Sequence, residues 1–257
     1  MLKVLLFFTV ITLNFLGFSQ ENISLTYIGN MGVYISNNQF SILIDGLHTK
    51  YGEDYLFPDQ KLVNRINTVL QPDALLFTHR HCDHFSAQLS RDFLIHNKKA
   101  ILFGPNQITK NLSEFSDRLF TISTKDYVKQ TIKHGDINIT GLKINHVGKK
   151  HVTIENVGYI VNISNKNILH VGDTNWLEEI NLFDQLKLAE QSIYIAILPY
   201  WMLLDNQASE LIKKYIEPKH IVATHISPRI KKEDLQSLKN KFPEAHFLTK
   251  PQQRIQF

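Results

Sequence analysis

Three histidines and one aspartate fall within six positions of this chain, in the run Thr78-His79-Arg80-His81-Cys82-Asp83-His84. The run follows Ala74-Leu75-Leu76-Phe77, a short apolar stretch that reads as a buried strand. Neutral imidazole nitrogen and carboxylate oxygen are the ligands that zinc and similar ions prefer. His-x-His-x-Asp-His at the end of a rigid strand is a specific arrangement of them. His79 and His81 can turn to one point, while Asp83 and His84 face a neighbouring one. So short a run cannot close both points, and the fold has to bring in further ligands from remote parts of the sequence.

The material for such a fold is present. Of the 257 residues, 43% are hydrophobic and 20% are charged, which supplies a full core and excludes disorder. A single cysteine, Cys82, excludes an internal disulfide framework. The net charge is +4, and the basic residues are scattered, with short clusters only at Lys149-Lys150 and Lys231-Lys232. This reads as a solvated face and argues against a nucleic-acid partner.

The N-terminus reads as an address. Lys3 precedes a nearly continuous apolar run from Val4 to Phe18, and Gly17 and Ser19 put small residues where a signal peptidase needs them. Residues 1–19 are therefore expected to be a secretory signal peptide. The alternative is an uncleaved anchor, but the run is short of the about 20 residues a bilayer span needs. The chain from 20 to 257 is expected to be one exported domain, periplasmic or secreted, with no membrane span after the signal is removed.

Strands are predicted at Ile23–Ile28, Val33–Ile35, Phe40–Ile44, Ala74–Phe77, Ala100–Phe103, Tyr159–Ile163, Ile168–Val171, Ile193–Leu198, His220–Ala223 and His246–Leu248. Several short strands are expected between Leu119 and Ile144, turning at Gly135. Helical spacing covers Leu62–Leu70, Ala87–Asn97, Ile108–Phe115, Leu177–Gln191, Ala208–Tyr215 and Lys232–Lys241. A weak internal repeat runs through this pattern. Asn30 and Asn156, Gly32 and Gly158, Ile42 and Ile168, and Leu43 and Leu169 all share an offset of 126. Thr78-His79 and Thr224-His225 form a second echo. Coincidence and two similar halves within one domain both remain open from these residues.

The motif His79-x-His81-x-Asp83-His84 resembles that of the metallo-β-lactamase superfamily, and the resemblance extends across most of the chain after residue 19. It implies an α+β fold, a four-layer αββα sandwich with metals at the edge between two sheets. It also implies a histidine, an aspartate and a histidine in later loops, which match His146, Asp173 in His170-Val171-Gly172-Asp173-Thr174, and His225. By the resemblance, one metal sits on His79, His81 and His146. A second sits on Asp83, His84 and His225, and Asp173 is shared. The rival for His146 is His151, but His146 directly ends an alternating strand. Asp173 read blandly is a helix cap ahead of Trp176. His170 reads as a supporting or packing residue, and Cys82 as a small residue turned away from the metals. Tyr200, Trp201 and Asp205 follow a strand that ends at Pro199 and are candidates to overhang the pocket.

Two divalent ions, zinc by ligand type with manganese or iron compatible, activate a water at neutral pH. Asp83 is the candidate catalytic residue, holding a metal and orienting the nucleophile. No Gly-x-Ser-x-Gly elbow competes. The expected activity is metal-dependent hydrolysis of a small-molecule ester, lactone or phosphodiester, as in the lactonase and phosphodiesterase-like branch. The alternatives are an exported β-lactamase-type amide hydrolase and a non-catalytic zinc-binding protein that retains the site.

Overall fold

A computed structural model describes residues 22–37, 39–123, 129–134 and 137–257. The expected signal peptide and the expected turn at Gly135 lie outside these residues. Two seven-stranded sheets form the framework. The first contains β1 (Ser24–Gly29), β2 (Gly32–Ser36), β3 (Ser41–Ile44), β4 (Ala74–Leu76), β5 (Ile101–Pro105) and β6 (Leu119–Ile122). The second contains β7 (Gln130–His134), β8 (Ile137–Lys143), β9 (Val157–Ile163), β10 (Lys166–His170), β11 (Ile193–Pro199), β12 (His220–Thr224) and β13 (His246–Phe247). The last strand, β14 (Arg254–Gln256), returns to the first sheet and pairs antiparallel with β1.

Period-2 patterning explains why the sheets stack. On β3, Ile42 and Ile44 enter the core between the sheets, while Leu43 points to the outer face. On β11, Ile195 and Ile197 do the same, and Ala196 and Leu198 face outward. Both faces of the central strands are therefore apolar, as strands covered on both sides require. The outer face of the first sheet is covered from α1 (Gln60–Arg65), α2 (Ala87–His96) and α3 (Asn106–Thr109). That of the second is covered from α4 (Trp176–Leu186), α5 (Trp201–Leu204), α6 (Ala208–Tyr215) and α7 (Lys232–Lys241). The layers are thus helix, sheet, sheet, helix.

The sheets share one pairing pattern. β14-β1-β2-β3 are mutually antiparallel and β3-β4-β5-β6 parallel; β7-β8-β9-β10 are antiparallel and β10-β11-β12-β13 parallel. The residues offset by 126 sit on matching strands, with Gly32 first in β2, Gly158 second in β9, and Ile42 and Ile168 on β3 and β10. The second echo does not follow this match. Thr78 comes after β4, adjacent to β3, whereas Thr224 ends β12, two strands from β10.

Several boundaries differ from expectation for local reasons. Gly104-Pro105 continues β5, because the strand pairs with β6 through Pro105. The helix expected at 108–115 is a short α3 followed by a 3-10 segment, with Leu112 and Phe115 out of helical conformation. The long helix expected to Gln191 stops at Leu186, where Lys187 turns left-handed. Strand β14 escaped the sequence analysis because a three-residue polar edge strand carries no periodic signal.

The sheets are tied at the end that carries the ligand loops. The Tyr159 hydroxyl, fully buried, donates to the Phe77 carbonyl at 2.7 Å, and Val157 N donates to Thr78 O at 2.9 Å. Gly172 lies in this seam at φ +63, and a Cβ there would stand 2.6 Å from Asn156 Oδ1 and 2.9 Å from Thr78 Cβ. Gly172→Ala combines left-handed strain with overpacking, so unfolding in denaturant should show a loss of about 1–3 kcal/mol. A wild-type midpoint would show that the seam is not close-packed.

Candidate metal centre

The His/Asp residues of the cluster come from four loops, each at or just beyond a strand end. The β4 end delivers Thr78, His79, His81, Asp83 and His84, and a tight turn closes the segment, with His84 N and Phe85 N both donating to His81 O. The β8 end delivers His146, the β10 end Asp173, and the β12 end His225. Asn30, between β1 and β2, and Asn156, ahead of β9, bind these loops together. Asn30 Nδ2 donates to Asp83 Oδ2 at 2.9 Å and to Asp83 O at 3.1 Å, and its carbonyl accepts from His225 N at 2.8 Å. Asn156 Nδ2 donates to Ile144 O at 2.9 Å and Val171 O at 3.3 Å, joining the segments that lead to His146 and Asp173. Val147 N donates to Asp173 O at 2.8 Å and completes the connection. Both asparagines belong to the 126-residue repeat, but their type and spacing alone show no role for them.

Two groups of ligand atoms result. His79, His81 and His146 form one, and Asp83, His84, Asp173 and His225 the other, with the atoms of each group within 4.8 Å of one another. In the first, His81 Nδ1 lies 3.0 Å from His79 Nε2 and 3.1 Å from His146 Nε2. The ring protons follow from the partners. Thr78 Oγ1 gives its only proton to Asp45 Oδ2 at 2.6 Å, so His79 Nδ1 must be the donor in its 3.0 Å contact with that hydroxyl. His146 Nδ1 likewise donates to Val147 O at 2.7 Å. In their neutral forms both rings therefore point a lone pair at His81 Nδ1, which has one proton at most. A hydrogen bond satisfies only one of the two contacts; one cation accepting all three lone pairs satisfies the set. Donors of a tetrahedral zinc at its usual bond lengths stand about 3.3 Å apart, close to this spacing.

Electrostatics favours the same reading. Burial holds His79 well below the ordinary imidazole range and His81 at about 4, and burial also lowers His146. All three rings are neutral at neutral pH, the form that binds metal. In the second group Asp173 Oδ2 is 3.3 Å from His84 Nε2 and 3.5 Å from His225 Nε2, and it is 3.8 Å from His146 Nε2 in the first group. Asp173 thus stands between the groups. Burial pulls the Asp83 carboxyl up, yet His84 and His225 hold it at about 2. Burial opposes charge on His84 and His225, but Asp173 and Asp83 raise both, His84 well above its ordinary value. The excess negative charge calls for protons on these rings or for a cation in their place. Asp173 Oδ1 and His225 Nε2 are buried without a hydrogen bond, a further sign that the donor set fits an ion.

Asp45 supports the whole set and was not singled out as a site residue in the sequence. It is fully buried and accepts from Thr78 N at 2.7 Å, from Thr78 Oγ1, and from His84 Nδ1 at 2.9 Å. The signal available was its place, an aspartate directly after the apolar run Ile42–Ile44. His170 is engaged elsewhere, donating through Nε2 to Met31 O at 3.1 Å and accepting from Gly172 N. Cys82 is exposed. His151 is adjacent to the first group, its ring 4.4 Å from His146 and 4.9 Å from His81, but the converging nitrogen is that of His146. Tyr51, Tyr55, Lys150, His151 and Trp201 line a cleft of about 300 Å3 over Asp83, Asp173 and His225. Of the three residues expected to overhang it, Trp201 does so, with its ring 4.6 Å from His225 and its Nε1 donating to Thr174 O at 2.7 Å. Tyr200 lines a separate cavity, and Asp205 Oδ1 instead accepts from Gln207 N. Tyr51 and Tyr55 were missed, because a loop aromatic carries no sign of where it will land.

No curated protein matches this chain by sequence. A metallo hydrolase from the archaeon Ignicoccus hospitalis superposes over 92% of this chain and 98% of its own, with TM-score 0.60 and 19% identity. The metallo-beta-lactamase fold protein YhfI from Bacillus subtilis covers 92% of this chain and 100% of its own, with TM-score 0.60 and 13% identity. CmlA, a diiron beta-hydroxylase from Streptomyces venezuelae, aligns with 93% of this chain but only 54% of its own length, with TM-score 0.60 and 14% identity. These likenesses establish the fold. The model of the Beta-lactamase superfamily domain matches residues 24–225, a span that runs from β1 to His225 and takes in every ligand candidate above. With the sandwich and the loop-borne His/Asp cluster, that match shows that this chain belongs to the metallo-β-lactamase-fold members of the beta-lactamase superfamily.

Proposed function

We propose that this chain is a metal-dependent hydrolase that uses two divalent cations, zinc by ligand type, to cleave an ester, lactone or phosphodiester. The observation that carries the reading is the shared place of Asp173 Oδ2 between a three-histidine group and an Asp/His group. His79, His81 and His146 would hold one ion, and Asp83, His84 and His225 the other, with Asp173 common to both. Bound there, two cations supply a water ionised near neutral pH and polarise a carbonyl or phosphoryl oxygen. The hydrolase named among the structural neighbours supports the reaction class, and the diiron neighbour keeps iron compatible with the ligand set.

The chain's own residues do the rest. Asn30 fixes one oxygen of Asp83, leaving its carboxylate positioned to hold the attacking water by a hydrogen bond. Asp45 and Thr78 set the ring orientation and protonation of His84 and His79, so that the Nε2 atoms face Asp173 and His81, respectively, inside the cluster. Trp201 and Tyr55, packed against His225, narrow solvent access on that side. We further propose export of the chain, supported by the apolar run from Val4 to Phe18; among the described residues no helix is long and apolar enough to cross a membrane.

The purified chain should carry about two metal equivalents and turn over at least one member of a panel of lactones, phosphodiesters and β-lactams. One tightly held ion with no turnover would favour a metal-binding protein, and β-lactam cleavage alone would favour the amide hydrolase. His79→Ala should lower both metal content and hydrolysis, and Asp173→Ala should weaken retention of both ions. Full metal and activity in the Asp173 variant would remove the proposed bridge. Asp45→Asn should cost about 10–100-fold in metal affinity or activity without altering any ligand. If the leader is cleaved as read, N-terminal sequencing of protein recovered outside the cytoplasm should begin at Gln20.

Acid should destabilise the metal-stripped protein in a defined window. His48, His79, His81, His146 and His170 all have lowered values from burial, His48 and His81 at about 4. Between pH 6.5 and about 4 the unfolded chain binds more protons at these rings than the folded one, so stability falls as pH drops. The raised values of His84 and His225 act the other way, and their contribution is already complete below pH 6.5, so it does not offset the loss. The melting temperature of stripped protein should therefore fall by several degrees from pH 7 to pH 4.5. A flat profile would show that the rings are not buried as neutral groups.

A further inference from the structure

The cleft over the cluster has two chemically different sides. Beside His225 stands an aromatic series: Tyr51 lies edge-on to Tyr55 at 4.9 Å, Tyr55 to His225 at 5.5 Å, and Trp201 to His225 at 4.6 Å. The loop that carries Tyr51 and Tyr55 is held down from outside the cleft. Asp54 accepts from Ser227 Oγ at 3.2 Å and pairs with Arg229 at 3.8 Å, next to the loop that carries His225. Tyr51 is nevertheless 60% exposed, a large ring presented to solvent at the rim.

Beside His81 and His146 the lining changes to Val147, Gly148, Lys150 and His151. Lys150 is exposed. Among the described residues the lysine and arginine ion pairs are Lys50–Glu53, Arg91–Glu114, Lys187–Asp184 and Arg229–Asp54, and Lys150 takes part in none of them. The only carboxylates in the lining are Asp83 and Asp173, both turned onto histidines. A cleft with an unpaired ammonium and no free carboxylate repels cationic ligands and attracts anionic ones. A row of edge-on rings presents apolar faces and edges that suit a flat ligand.

We propose that this cleft selects substrates that combine a flat apolar group with an anionic substituent. The flat group lies against Tyr51, Tyr55 and Trp201, and the anion pairs with Lys150, so that the bond to be cleaved falls between the two metal groups. This rests on the hydrolase reading above and narrows its substrate class. Both features come from segments outside the ligand loops of the first motif, and Tyr51, Tyr55 and Lys150 hold no metal in that reading.

The test uses binding rather than turnover. The full chain with two zinc equivalents is titrated with 1-naphthoate and with its neutral isostere 1-naphthamide, followed by quenching of tryptophan fluorescence, with zinc content measured on the same samples. The expected result is tighter binding of naphthoate by up to about fivefold, the upper end of what one exposed ion pair supplies, and a preference that shrinks with added salt. Lys150→Gln should bring the ratio near one, Lys150→Arg should keep it, and Tyr51→Ala should weaken both ligands together. A preference that survives Lys150→Gln would show that the metals alone hold the anion, and equal binding of both ligands by the wild type would show that the cleft does not select charge; either overturns the proposal. Failure to take up zinc would instead sink the hydrolase reading, and the naphthoate ratio would still decide the role of Lys150.

Discussion

The side chain of Asp45 is the point on which the His/Asp cluster depends. It sits at the end of β3 in a left-handed conformation, fully buried, and accepts a backbone N–H and a hydroxyl from Thr78 and a ring N–H from His84. A buried carboxyl with three donors is well satisfied, and removing it would leave those donors unpaired at a cost of about 1–3 kcal/mol each. The chemical consequence is larger than the energetic one. Because the Thr78 hydroxyl is committed to Asp45, its other contact fixes the proton on His79 Nδ1, and the Asp45 contact fixes the proton on His84 Nδ1. One carboxyl thereby orients one histidine of each group.

The two asparagines extend the same logic across the seam between the sheets. Asn30 joins Asp83 to the backbone of His225, and Asn156 joins the segments before His146 and Asp173. They occupy matching places, ahead of β2 and ahead of β9, in sheets with the same order of antiparallel and parallel pairings. The edge where the strands' loops meet is a place where such caps can reach two chain segments at once. Ligands there come from loops, whose sequence is free to vary, while the capping groups sit on rigid strand ends.

Much of the architecture was legible because periodicity reports burial. Continuous apolar runs over Ile42–Ile44 in β3 and along β4 and β11 announce strands covered on both sides, and the helices at α2, α6 and α7 stand within a residue or so of expectation. What escaped had no periodic signal: the polar edge strand β14, the one-turn helix α5, and the break at Lys187, where a left-handed residue ends a helix that the pattern would have continued. In the cluster, the residues of the His79 motif and the remote His146, Asp173 and His225 stood out by type and position. Asp45, Tyr51 and Tyr55 did not, and Asn30 showed only as a member of the repeat, since an aspartate or asparagine at a strand end and a tyrosine in a loop are ordinary residues until their partners are known.

By itself the sequence determined the ingredients: two sets of buried strands, an apolar complement sufficient for a core, and a histidine-rich loop that needs remote partners. Periodicity and residue chemistry are local properties, so they survive in one dimension. Only the tertiary structure decided convergence: that Asp173 Oδ2 lies between the two groups, that His146 and not His151 turns its nitrogen inward, and that Trp201 faces the cleft while Tyr200 does not. Those outcomes depend on distances between segments separated by up to about half the chain. Sheet packing and the hydrogen bonds of three buried polar side chains set such distances, and no local pattern encodes them.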